Sequence, residues 1–75
     1  MMFMARIYSA AGRLLYQSPT AYASREEAAR VALTQRPNAK GVSTSRAAMV
    51  GGEWRELHSD IRYHSRHAVE QGDAA

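Results

Sequence analysis

The stretch "SREEAARVALTQRP", residues 24–37, constrains this chain more than any other. Ser24 with Glu27 three positions on forms a capping box, which satisfies amides that a helix start leaves open. Glu26 and Glu27 place carboxylates at the positive end of the helix dipole. Ala28, Ala29, Val31, Ala32 and Leu33 fall on one wide apolar arc, with Glu26, Arg30 and Thr34 opposite. Glu26 and Arg30 are also spaced for a surface pair one turn apart. Arg36 precedes Pro37, which disfavours helix at the residue before it. The spacing predicts one helix from Ser24 to about Gln35. Its small alanines predict close approach to a sheet.

The flanking segments supply that sheet. "FMARIYS", residues 3–9, alternates apolar with mixed positions and is rich in aromatic and β-branched types, so it reads as a strand. "AAG" at 10–12 is a turn with Gly12 free to take positive φ, and "RLLYQS" at 13–18 returns as a second strand until Pro19. After a turn at "PNAKG", the run "VSTSRAAMV" leads through Gly51-Gly52 into "EWRELHSDIRYHSR", a tight hairpin signal. In a two-residue register Met49 and Trp54 share one face, while Val42, Leu57 and Ile61 share the other. A bulge or longer loop is needed to bring Trp54 and Ile61 into one core. A helix would also gather Trp54, Leu57, Ile61 and Ala68 on one arc, but β-propensity and the Gly-Gly pair favour strand. The expected architecture is α+β in the order β-β-α-β-β. One helix packs on an antiparallel sheet in a single small domain over residues 1–67, and residues 68–75 form a flexible C-terminal tail.

At 75 residues the chain has room for one core, and a domain of this size buries only about 60% of its unfolded surface. It has no cysteine, which removes disulfides, thiolate metal sites and a Cys nucleophile together. That absence suits a reducing interior. The opening "MMFMAR" is apolar for five residues, too short for an export signal or a membrane span. The expected compartment is the cytoplasm. Formal charge is +3 and uneven: residues 1–50 carry a net +5 and residues 51–75 a net −2.

All three histidines lie in "HSDIRYHSRH", residues 58–67. On a strand, Leu57, Ser59, Ile61, Tyr63 and Ser65 point one way, while His58, Asp60, Arg62, His64 and Arg66 point the other. Only the first set suits a core, so the second is expected to face water. A metal site needs helix here, where Asp60, His64 and His67 would project from one side as a two-His-one-carboxylate set. A ribonuclease would use His58 and His64 as acid and base with Arg62 on phosphate. A single strand places those histidines about 20 Å apart, too far for concerted work. "GVSTS" lacks the second glycine of a nucleophile elbow, and no phosphate loop or dinucleotide unit is present. No catalytic, cofactor-binding or metal residues are expected, and the chain is not expected to be an enzyme.

Binding is the remaining class. Trp54, Tyr63, Arg55, Arg62 and Arg66 are residue types that dominate protein interfaces, and they cluster on the last strand beside His64. The expected partner surface is therefore Trp54, Arg55, Arg62, Tyr63, His64 and Arg66, with Trp54 also suited to anchoring the core. Tyr8, Tyr16 and Tyr22 are expected between sheet and helix. The partner is expected to be a larger protein or ribonucleoprotein, with no role for membrane. The alternative is a small nucleic-acid-binding module using Arg6, Arg13, Lys40 and Arg46 against phosphates. Open edge strands also allow a homodimer.

The segment "AAGRLLYQSPTAYASREEAARVAL" resembles the repeat unit of the YegP-like family of small bacterial proteins. Gly12, Leu14, Leu15, Ser18, Tyr22, Ser24 and Ala28 stand in the family's positions, over about residues 3–39. The chain departs from that pattern by one extra residue between Ser18 and Tyr22, and by lacking a glycine before the mid-helix aliphatic residue near Val31. The resemblance implies a β-β-α unit and supplies no activity. In format the chain is also similar to small phage and mobile-element inhibitors, including anti-CRISPR proteins that block a type I Cascade-like surveillance complex. That likeness implies a non-enzymatic inhibitor.

Overall fold

Ser24 takes an extended backbone and its Oγ accepts from the Glu27 amide at 3.1 Å, so helix α1 runs Arg25–Gln35 as its cap dictates. The computed structural model describes residues 1–72. Around α1 it places strands β1 (Met2–Tyr8), β2 (Leu14–Gln17), β3 (Gly41–Val50), β4 (Glu53–Glu56) and β5 (Arg62–Ser65), followed by helix α2 (Arg66–Glu70). Every strand pair is antiparallel and the order is β2-β1-β3-β4, with β5 also paired to β3. The fold class is α+β, as the pattern predicts. The order differs in detail, β-β-α-β-β-β-α, because the last expected strand is broken in two and a second helix follows.

β4 and β5 share one edge of β3. Glu53–Glu56 lie opposite Val50–Ala47, and Arg62–Ser65 lie opposite Thr44–Gly41. The hairpin closes on two residues, Gly51 at φ 59° and Gly52 at φ 82°, a conformation that side chains disfavour. Met49 and Trp54 face each other as the register requires.

The core lies between α1 and one face of the sheet. Ala28, Ala29, Ala32 and Leu33 meet Ala5 and Ile7 of β1, Val42 of β3 and Val69 of α2. Three of those helix residues are alanines with no measurable exposure, so the helix backbone comes close to the strands. Tyr16 and Tyr22 pack at the margin as expected. Tyr8 does not. The β1–β2 register shifts after Ile7, so Tyr8 opposes Leu14 with Leu15 as an extra residue, and Tyr8 is 46% exposed on the face away from α1. On that face Met4 and Ser45 are paired and buried, beside Arg6 Nε and Glu56 Oε2 at 2.7 Å.

The expected tail from residue 68 is corrected over residues 68–70. Ser65 Oγ accepts from the Ala68 amide at 3.1 Å and starts α2, which buries Val69 to 4% exposure in the core. Residues 73–75 of the expected tail lie outside the described residues. Among the described residues, no helix is long and apolar enough to cross a membrane.

Candidate functional site

The bulge between β4 and β5 decides where the histidine stretch points. Six chain positions separate Glu56 from Arg62, but only three separate their partners Ala47 and Thr44. An odd excess inverts the alternation. The excess is absorbed at His58 and Asp60, both at φ 53°, a left-handed conformation that few non-glycine residues adopt. Arg46 spans the break: its carbonyl accepts from the Leu57 amide at 2.9 Å, and its amide donates to the Ser59 carbonyl at 3.3 Å.

The inversion corrects the expected inside-outside pattern. His64, expected to face water, opposes Val42 and is 8% exposed. Ile61 and Tyr63, expected to suit a core, are 57% and 69% exposed. His64 Nε2 lies 2.7 Å from Thr44 Oγ1, and Arg25 Nη1 donates to the same Oγ1 at 3.1 Å. Thr44 Oγ1 therefore accepts from the guanidinium and pairs with the His64 ring, the roles in that second bond set by the imidazole tautomer. Burial pushes the His64 pKa down, and the positive charges of Arg25 and Arg62 push it the same way. Arg25, at the first position of α1, is itself buried with its guanidinium carbon 4.7 Å from the Phe3 ring centroid. Its Nη2 reaches Asp60 Oδ2 at 2.5 Å, so the bulge is tied to the helix by an ion pair.

This cluster has the residue types of an acid–base relay without the access. Thr44 and Arg25 are 1% and 5% exposed, and the one described imidazole nitrogen at Thr44 is already occupied. Its work is to hold the 57–61 bulge against α1. The acid–base pairing of His58 with His64 would join a ring that is 60% exposed to one buried under the helix. Asp60, His64 and His67 are not gathered as ligands, and among the described residues no three metal-binding side chains are grouped to hold an ion.

The other expected partner-binding residues separate. Arg55 is exposed and lies near Glu53, and Arg62 is exposed near Asp60. Tyr63 is exposed, and its ring lies over Gly41: a Cβ added there would meet the Tyr63 hydroxyl at 1.9 Å. Trp54 is half-buried against Met49 on the face away from α1. Arg66 turns inward to cap α1. Its Nε donates to the Ala39 carbonyl at 2.5 Å, and its Nη2 to the Arg36 and Leu33 carbonyls at 2.7 and 3.3 Å. What remains exposed along residues 55–63 is Leu57, Ile61 and Tyr63, interleaved in sequence with Arg55 and Arg62. Leu57 and Ile61 were visible in sequence only as core candidates. The signal that would have exposed them is a pair of polar residues two positions apart, His58 and Asp60, standing in for glycine at left-handed φ. Compared with known proteins, the chain matches no protein-family model, no curated protein and no solved structure.

Proposed function

We propose that this chain is a non-enzymatic binding module that docks onto a larger protein or ribonucleoprotein through its β4–β5 edge. The observation that carries this reading is the exposure of Leu57, Ile61 and Tyr63, at 47%, 57% and 69%, along one run of a chain with little core to spare. Exposed apolar side chains interleaved with cations along one stretch of chain suit a binding edge. Arg55 and Arg62 are the exposed cations of this stretch. The bulge also interrupts the edge ladder, so a partner engages side chains here rather than adding a strand.

The narrower form, an anti-CRISPR-like phage inhibitor of a ribonucleoprotein such as a type I Cascade complex, rests on format alone and names the first complex to test. The cytoplasm, a reducing compartment, is assigned on the absence of cysteine.

Affinity capture with the wild-type chain and with a Leu57→Asp/Ile61→Asp variant, with and without nuclease, tests the reading. One partner held by wild type and lost by the folded variant supports it. The same partners on both chains would remove this surface. A dimer in light scattering that the variant breaks would reassign the strip to a second copy.

A further inference from the structure

Pairing of β1 with β3 stops at Arg6 opposite Ser43, while β1 runs on to Tyr8 against β2 and β3 between Ser43 and Gly41 is held by β5. Past that point the two strands diverge and leave a cleft of about 750 Å³ between the β1 end and the α1–β3 connection. That volume falls within the range of small-ligand sites, roughly 300–1,000 Å³. Its lining combines two tyrosines, Tyr8 and Tyr63, with three cations, Arg6, Arg36 and Lys40, and includes no carboxylate.

The cations are not equivalent. Arg6 is met by Glu56 at 2.7 Å and also donates to the Tyr8 hydroxyl at 3.1 Å. Arg36 gives one Nη2 bond to the Leu15 carbonyl and has no carboxylate partner among the described residues. Lys40 is exposed and makes no ion pair among the described residues. Gly41, lacking a side chain, lets the Tyr63 ring lie across β3 at the cleft wall with most of its surface open. A flat aromatic surface next to unmatched cations suits a ring that carries negative charge.

We infer that this cleft binds a nucleotide unit, with its base against Tyr63 and its phosphate at Arg36 and Lys40. The unit comes either free or within a single strand, and the two sources share the same contacts. The cleft shares Tyr63 with the exposed 57–63 stretch but not Leu57 or Ile61, and its cations Arg36 and Lys40 lie outside that stretch, so it stands whether or not Leu57 and Ile61 bind protein.

The test is fluorescence anisotropy of a labelled ten-nucleotide oligouridylate at low salt, with competition by AMP and by inorganic phosphate. Binding is expected, weakening as salt rises. Lys40→Glu and Tyr63→Ala should each weaken it roughly tenfold, while Tyr63→Phe should retain it. Competition by AMP at the affinity of the oligomer assigns a free nucleotide, and a much tighter oligomer assigns a strand. In the unaltered protein, amide shifts on adding AMP should centre on Lys40, Gly41 and Tyr63. No binding of oligomer or AMP at low salt overturns the inference. So does binding that Lys40→Glu leaves unchanged, inorganic phosphate competing as well as AMP, or shifts that fall elsewhere.

Discussion

Thr44 Oγ1 and His64 Nε2 lie 2.7 Å apart beneath α1, where burial disfavours a charged imidazole. Thr44 also accepts from Arg25, whose positive charge adds to that bias. The folded-state pKa of His64 is lowered from its ordinary value by burial and then by Arg25 and Arg62. A lowered histidine binds fewer protons folded than unfolded, so its contribution to stability is present above about pH 6.5. That contribution is lost as pH falls from there toward the lowered folded value, and is flat below it. Thermal unfolding from pH 8 to pH 5 should show this acid-side loss, and His64→Gln should reduce the slope. An unchanged slope in the variant would mean that another group carries it.

Asp60 is asked for two things at once, a left-handed backbone at φ 53° and a carboxylate 2.5 Å from the buried Arg25. Asp60→Ala removes the partner of a buried guanidinium and puts a methyl group where Asp or Asn is better tolerated. Asp60 is itself 44% exposed, so water offsets part of the loss, and about 1–2 kcal/mol is expected. Asp60→Asn keeps an acceptor and the backbone preference, and should cost clearly less. Urea midpoints rank the two. A wild-type midpoint in Asp60→Ala would show that the ion pair does not hold the bulge.

The helix, the first hairpin and the Gly51-Gly52 turn were legible because each is written locally. Ser24 caps, the alanines repeat at helical spacing, and paired glycines accept positive φ. The site was not legible, for three separate reasons. His58 and Asp60 take a glycine-like conformation, so the phase of every later residue inverts without any glycine to mark it. Nothing in sequence marks Arg25 for burial, yet Thr44, Asp60 and the Phe3 ring surround it. Val69 follows Ala68 in a helix of only five residues, and no period can reveal so short a helix even though its Val69 completes a core built elsewhere.

Arg66 serves the end of α1, not the exposed 57–63 stretch. α1 ends without a glycine and without a basic residue in its last turn, so its carbonyls rely on a guanidinium brought from α2. Arg66→Ala should cost about 1–2 kcal/mol and speed exchange of the Arg36 amide, which bonds the Ala32 carbonyl. Arg66→Lys should recover only part, because one ammonium cannot reproduce a fork spread over Ala39, Arg36 and Leu33. Hydrogen exchange read by NMR separates the cases. Full recovery by lysine would reduce the interaction to charge alone.

Val69 tests whether the C-terminal helix belongs to the domain. Its side chain is 4% exposed within the cluster formed by Leu33, Val42 and the α1 alanines. Val69→Ala removes two methyl groups from that cluster and should cost about 1–2 kcal/mol through lost burial and an unfilled space. Ala68→Ser, one position earlier and only half-buried, should cost less than half as much. A chain ending at Ser65 loses Val69 and the Arg66 cap together, so its loss should exceed that of either single variant, though the two contributions share Leu33 and will not add strictly. Chemical denaturation of the three chains checks this ordering. If the shortened chain were as stable as the full one, residues 66–72 would be an appendage and the core would close without them.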